Sequence, residues 1–330
     1  MIAGFVLISQ HSRKWKMEFQ NHTMKVVSVN ISEKKGTVKQ PVQAITLYDK
    51  GVLGDAHSGK WHRMVSLLGT ESFRKFEKDA GRELAYGEFA ENITTEGMIL
   101  YEMAPFDQLH LGDIVLEVTQ IGKKCHGAGC AIYNEVGNCV MPKEGIFARV
   151  ISGGDVKAGD LISYHPKVFR VMVITLSDRA SSGEYEDLSG PEIQKQLLPF
   201  FEMNRWQVNF ESHLIPDDPK KLEELLFKAK SEKFDMVFTT GGTGIGPRDF
   251  TPEVVKQHID KEIPGIMEAI RLKYGMEKPN ALLSRGVAGL MNETFVYVLP
   301  GSVRAIKEYM GEILKTLRHL LFMLNGIDNH

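Results

Sequence analysis

The chain has 330 residues, 43% hydrophobic and 25% charged, with a formal net charge of −2. That length favours two domains over a single core, and the composition is that of an ordinary water-soluble globular protein. The near-neutral charge, with no long Lys/Arg run, argues against a nucleic-acid binder, and no apolar window is long enough to span a membrane.

Met1 to Ser9 is apolar, but its positive charges, Arg13, Lys14 and Lys16, follow it instead of preceding it. That is the wrong order for a secretory signal, so a cytoplasmic protein is expected. A clean strand pattern starts at Met24 and runs through Ile31. Residues 1–23 are therefore read as a disordered extension or a misassigned start, residues 24–165 as a first domain and residues 166–330 as a second. The boundary falls at His165-Pro166-Lys167, where proline breaks the pattern.

From Met24 to about Tyr164 the chain reads as short strands, among them Val42 to Leu47 and Asp113 to Thr119. Turns recur at Gly54-Asp55, Gly112-Asp113, Gly154-Asp155 and Gly159-Asp160, and one helix is predicted from Thr70 to Ala80. Many strands with little helix predict a mainly-β barrel or sandwich. A polar, Gly-rich stretch from Gly54 to Met64, carrying His57, His62 and Arg63, precedes an apolar strand, and a second glycine segment runs from Gly87 to Ile93.

The 3 cysteines, Cys125, Cys130 and Cys139, fall in one short segment. An odd number does not suggest a disulfide scaffold. Cys125 follows Lys123-Lys124 and precedes His126, and nearby cations stabilise a thiolate, so a reactive thiol is the leading reading. Two others stay open. Cys125, His126, Cys130 and Cys139 are suitable ligands for Zn²⁺ or another soft metal, although the spacing is not a standard zinc motif. The thiols also fit as small packing residues.

These segments resemble the MOSC domain, the β-barrel found at the carboxyl end of eukaryotic molybdenum cofactor sulfurases and as stand-alone proteins, over about residues 24–163. The resemblance implies that Cys125 carries persulfide sulfur or contacts the cofactor's metal, with a sulfur donor as partner. It places His57, His62 and Arg63 near an anionic pterin phosphate, and it brings an association with pyridoxal phosphate.

The second half alternates strand and helix. Phe169 to Leu176 is a buried strand, Pro191 opens a helix to about Phe201, and Val208 to Leu214 is another strand. Asp217 or Asp218 then caps a helix entered through Pro219. Phe234 to Phe238 reads as the central strand, followed by a glycine loop from Thr239 to Glu253 in which Thr251 is read as the N-cap ahead of Pro252. Helices are predicted near 252–260 and 263–274, a strand over Thr294 to Leu299, and a closing helix over Val303 to Leu324. Such alternation predicts an α/β doubly wound, parallel sheet covered on both faces, with ligands beyond the carboxyl ends of its strands.

Those strand ends carry polar residues, Ser177-Asp178-Arg179, Asp217-Asp218 and Pro300-Gly301-Ser302, with a separate loop at Ser284-Arg285. Gly241, Gly242 and Gly244 let backbone amides approach phosphate oxygens. Asp217 and Asp249, on separate loops, suit Mg²⁺, which takes one or two carboxylates plus substrate phosphates. The chemistry expected is phosphoryl or nucleotidyl transfer. No Gly-Lys-Ser/Thr follows the glycines, which disfavours a P-loop NTPase. Against this stands the reading of strand-end aspartates as helix caps, and of Arg179 as an ion-pair partner of Asp187 or Glu184.

The run from Thr175 to Gly183, Ile215-Pro216-Asp217, the glycine loop through Glu253, Ser284-Arg285 and Leu299-Pro300-Gly301 together resemble the molybdopterin adenylyltransferase family, whose three-layer α/β/α fold is shared with the gephyrin G domain. The resemblance covers about 168–330 and implies transfer of AMP from Mg²⁺-bound ATP to the terminal phosphate of molybdopterin. It implies Asp217 and Asp249 as essential acids and Mg²⁺ ligands, and Gly241, Gly242, Thr243 and Gly244 around the substrate phosphates. Ser177, Asp178, Arg179, Ser284, Arg285, Pro300, Gly301 and Ser302 would line the nucleotide and pterin pocket, in a homotrimer, with a molybdate-inserting protein as a further partner. Both resemblances concern one cofactor, so the chain is expected to act in molybdenum cofactor biosynthesis. The rivals are a non-catalytic cofactor carrier or scaffold and a tungsten-cofactor counterpart.

Overall fold

A computed structural model describes residues 24–124 and 140–327, so residues 1–23 and Cys125, Cys130 and Cys139 lie outside the described residues. The chain divides into two compact units, with the break between Lys167 and Val168.

The N-terminal unit carries β1 (Met24–Ile31), β2 (Gln40–Val42), β3 (Ala44–Tyr48), β4 (Gly51–Val52), β5 (Val65–Gly69), helix α1 (Thr70–Ala80) and β6 (Ile93–Glu96). It continues through β7 (Gln108–Leu111), β8 (Ile114–Ile121), β9 (Ile146–Ser152), β10 (Gly154–Lys157) and β11 (Leu161–His165). Strands β11, β7, β8, β9, β5, β6 and β1 hydrogen-bond in that order, and β1 pairs back to β11 through Met24 and Ile162. The result is the closed barrel, which leaves no open edge around the ring.

Alternation fills its interior. Met24 and Val26 point inward from β1 while Lys25 is exposed, and Leu109, Leu116, Ile146 and Ile162 complete the core. Where one strand was expected from Val42 to Leu47, the structure has two. Pro41, which cannot donate to a ladder, sits on β2 at the end of the large sheet. After Gln43 the chain joins β10 and β4 in a separate three-stranded sheet. Helix α1 spans the residues expected of it and lays Phe73 and Phe76 against Phe89, with ring centroids 5.2 and 5.3 Å apart.

The C-terminal unit runs β12 (Val168–Leu176), α2 (Asp178–Ser181), α3 (Ser189–Met203), β13 (Gln207–Ile215), α4 (Pro219–Ser231), β14 (Met236–Thr240) and α5 (Thr251–His258). It ends with β15 (Lys261–Glu262), α6 (Pro264–Gly275), β16 (Val287–Met291), β17 (Thr294–Leu299) and α7 (Val303–Leu324). The sheet order is β13-β12-β14-β17-β16-β15. Met172, Ile174 and Leu176 pack with Leu222, Leu226 and Val255 on one face. On the other, Phe169 meets Phe201 and Trp206 at 5.4 and 5.0 Å. Helix α7 buries Ile306, Met310, Ile313, Leu317 and Leu321 at three- and four-residue intervals. The unit is a three-layer α/β/α fold.

Two expectations change. The sheet is parallel from β13 to β17 but antiparallel at its β16 and β15 edge. The hairpin between β16 and β17 turns through Asn292 at φ 54°, a left-handed conformation that Asn tolerates. Thr251 is the first residue of α5, and the residue before it, Phe250, makes no side-chain cap bond. The capping assignment resolves at α4, where Asp218, not Asp217, accepts from Lys220 N at 3.0 Å. No helix among the described residues is long and apolar enough to cross a membrane.

Candidate active site

Strand order reverses beside β12, which has β13 on one side and β14 on the other. Connections leaving the carboxyl ends of β12 and β14 diverge there, and ligands of doubly wound sheets bind in the crevice so formed. A cavity of about 510 Å³ occupies that position, lined by Ser177, Asp178, Arg179, Tyr185, Asp187, Asp217, Thr240, Gly242, Gly246, Arg248, Asp249 and Gly301 among others.

The glycine loop is built by close approach. Gly241 has φ 104°, and a Cβ there would stand 2.3 Å from the Leu176 carbonyl oxygen. Thr240 Oγ1 donates to the Pro300 carbonyl at 2.9 Å, tying the loop to the end of β17. Asp249 curls back so that its Oδ2 accepts from Gly246 N at 2.8 Å.

Asp217 leaves β13 free of the capping duty that Asp218 performs. Its backbone N–H donates to Asp178 Oδ1 at 2.9 Å, and Asp178 N donates to Asp217 Oδ2 at 3.4 Å, a reciprocal clasp between two strand ends. Arg248 Nη1 reaches Asp178 Oδ2 at 3.1 Å. Burial raises the proton affinity of Asp217, and the negative charges of Asp178 and Asp249 add to it, against a backbone hydrogen bond and the Arg248 charge. The charges of Asp178 and Asp249 thus bear on Asp217 in the same cavity.

Among the described residues no group of three His, Cys, Asp or Glu side chains is placed to hold a metal alone. Asp217 and Asp249 instead fit an ion such as Mg²⁺ that takes one or two carboxylates and fills its remaining positions with water and phosphate oxygens.

Arg285 lies behind the loop. Its Nε donates to Gly244 O and its Nη2 to Asp249 O, each at 2.7 Å, while Nη1 pairs with Glu253. Ser284 accepts from Tyr309 Oη at 2.8 Å. Both line a neighbouring cavity of about 370 Å³ rather than the larger one. Ser302 caps α7, its Oγ accepting from Ala305 N at 3.3 Å. Gly241, Thr243, Gly244 and Pro300 support the loop without lining the larger cavity.

Sequence reasoning missed Arg248, Tyr185 and Asp187 as site residues. Arg248 had a signal, being next to Asp249 in the glycine loop. Asp187 accepts from Thr175 Oγ1 at 2.7 Å and Ser189 N at 2.8 Å, which commits its carboxylate and leaves Arg179 to the Tyr185 ring at 5.2 Å.

In the N-terminal unit, His57 N donates to Asp55 Oδ1 at 3.0 Å and His57 Nδ1 lies 3.5 Å from the same oxygen. Burial opposes the charge of Asp55, but hydrogen bonds from His57 and Lys39 outweigh it and hold the group well below the usual carboxylate range. Trp61 Nε1 donates to His57 O at 3.3 Å, and the Arg63 guanidinium lies 4.6 Å from the Trp61 ring and 5.9 Å from Phe147. The His62 carbonyl accepts from Thr119 Oγ1 at 2.6 Å. The structure therefore gathers His57, Trp61 and Arg63 on one segment ahead of β5.

A family model described as a probable molybdopterin binding domain matches residues 172–319, and one described as the MOSC domain matches residues 54–163. A molybdopterin adenylyltransferase of Helicobacter pylori is 35% identical over 161 residues, covering 48% of this chain and 90% of the relative. Gephyrin of Dictyostelium discoideum is 36% identical over 162 residues, covering 47% of this chain but only 22% of its own length. Among solved structures, the molybdopterin biosynthesis enzyme MoaB of Thermus thermophilus is 37% identical, covering 48% of this chain and 97% of its own, with a TM-score of 0.43.

Proposed function

Because this chain belongs to the molybdopterin adenylyltransferase family through its C-terminal unit and carries a MOSC domain in its N-terminal unit, we propose that the C-terminal unit moves the adenylyl group of ATP onto the terminal phosphate of molybdopterin. A phosphate oxygen of molybdopterin forms a bond to the α-phosphorus, the bond from that phosphorus to its bridging oxygen breaks, and pyrophosphate leaves. The observation that carries this reading is the gathering of Asp178, Asp217 and Asp249 with Arg248 in one cavity at the switch point. Repulsion among those carboxylates favours a cation, and Asp217 and Asp249 would hold Mg²⁺, which supplies positive charge to the transferring phosphates.

The remaining residues orient and screen. Gly242 and Gly246 line the cavity, where their backbone would face the phosphates. Arg248 stands ready to exchange its Asp178 partner for a phosphate oxygen, and a preorganised cation of this kind stabilises charge that develops during transfer. Arg285 fixes the loop from behind through Gly244 O and Asp249 O.

For the barrel we propose binding, or sulfuration, of the product that the C-terminal unit makes, with Arg63 at its anionic phosphate. Persulfide labelling of Cys125, set against metal analysis of the purified protein, separates a sulfur carrier from a metal site.

Incubation with molybdopterin, Mg²⁺ and ATP tests the main reading. Wild type is expected to release pyrophosphate and form adenylylated molybdopterin, and Asp249→Ala or Asp217→Ala to slow this by about 100-fold or more. No transfer by wild type, or full transfer by Asp249→Ala, removes the enzyme and leaves a non-catalytic carrier.

A further inference from the structure

Tyr185 lines the larger cavity, is 47% exposed, and is the one aromatic side chain in that lining among the described residues. It is held in place. Its hydroxyl lies 2.9 Å from Ser177 Oγ, and Ser177 Oγ also accepts from Ala180 N at 3.2 Å, so the phenol is fastened to the first turn after β12. The Arg179 guanidinium carbon lies 5.2 Å from the ring centroid. Among the described residues Arg179 forms no ion pair, since Asp187 is committed to Thr175, Ser189 and Gly190. A hydroxyl-bonded, half-exposed aromatic ring and a planar cation with no acidic partner thus lie together in the lining of a cavity that the loop glycines and Arg248 also line.

We propose that Tyr185 and Arg179 form a platform on which a planar fused nitrogen heterocycle of the substrate, purine or pterin, stacks. The proposal rests on the nucleotidyl-transfer reading of this cavity and adds to it the residues that recognise the ring. Guanidinium planes and aromatic faces both stack on nucleobases with little dependence on hydrogen-bonding pattern. The rest of the lining is aliphatic, hydroxylic, glycine or charged, and offers no second aromatic surface. Tyr185 is a binding residue in this scheme.

The test is calorimetric titration of the full-length protein, in Mg²⁺ buffer, with ATP, with inorganic tripolyphosphate and with 6-hydroxymethylpterin. Tripolyphosphate carries the charge of ATP without its ring. Tyr185→Leu is expected to lose about ten- to hundredfold in affinity for one of the two ring ligands while tripolyphosphate affinity stays as in wild type. Loss for ATP identifies the purine as the stacked ring, and loss for the pterin identifies the other substrate. Tyr185→Phe, which keeps the ring and drops the Ser177 bond, is expected to restore most of the ring-dependent affinity. The platform is refuted if Tyr185→Leu binds ATP and the pterin as wild type does, or if it loses tripolyphosphate in equal measure. A wild type that shows the ring-dependent pattern but transfers no AMP defeats the proposed activity and leaves the platform standing.

Discussion

Gly241 shows how the cavity is shaped at the scale of one residue. Its φ of 104° lies where L side chains are strained, and the atom its Cβ would meet at 2.3 Å is a backbone carbonyl oxygen at the end of a central strand. That oxygen cannot move without bending β12. Gly242, at φ 63°, would instead meet Thr251 Oγ1, also at 2.3 Å, a side-chain atom and not backbone, and its φ lies in the left-handed region that residues other than glycine do enter. Gly241→Ala is therefore expected to destabilise the C-terminal unit by about 1–3 kcal/mol, and by more than Gly242→Ala. Denaturant unfolding followed through the C-terminal transition checks this, and an unchanged midpoint for Gly241→Ala contradicts the steric argument. The distinction was not legible in the sequence, where both are members of one Gly-rich string. Asp217, just past a strand end, and Asp249, the lone acid of the glycine loop, stand out in the sequence, and the structure brings both into the cavity lining. Tyr185 does not stand out, because its role depends on a fold-back from α2 that spacing does not encode.

Elements were read best where one periodicity ran uninterrupted. Helices α1 and α7 and strand β17 occupy the residues expected of them, since each buries a continuous stripe or run. Strand β16 was missed because Val287 to Met291 contains Gly289, whose Cβ would meet the Lys261 carbonyl oxygen at 2.7 Å, so glycine serves close strand packing there and reads as loop in sequence. The Gly87 to Ile93 segment also hid its purpose. Glu91 is fully buried at 0% exposure, its Oε1 accepting from Gly87 N and from Thr94 Oγ1 at 2.9 Å, and its Oε2 has no hydrogen-bond partner among the described residues. It secures the turn whose carbonyl receives Lys39 N at 2.9 Å, and Lys39 in turn pairs with the buried Asp55.

Burial pushes the Glu91 carboxyl up to about 7, against hydrogen bonds that favour its charge. The folded value lies above the ordinary 4.5, so the protonated form is the one the fold prefers. The stability this confers is intact below pH 4.5 and is lost as pH rises through about 7. The barrel's Tm is expected to fall by roughly 5 °C across that window in wild type. Glu91→Gln, which cannot ionise, is expected to show a flatter profile, and parallel profiles in scanning calorimetry would refute the assignment.

Across the whole molecule, the construction of each unit decides where the chain can be cut. All seven strands of the ring, including the closing pair β1 and β11, lie before Lys167, and the hydrophobic cluster within the ring draws on residues from Met24 to Tyr164. The C-terminal sheet starts at Val168 with a strand that pairs on both sides, so a cut inside β12 would remove a central strand, whereas a cut before Pro166 spares it. Every residue lining the larger cavity comes from Thr175 onward. A fragment from Pro166 to His330 is therefore expected to fold alone and to transfer AMP within about threefold of the full chain. Adding residues 24–165 in trans tests what joining the units achieves. If the mixture delivers adenylylated product to the barrel as fast as the fusion does, the proposed hand-over between the units needs no covalent link. If the mixture lags while each fragment is folded and active, the covalent link itself raises the effective concentration of product at the barrel.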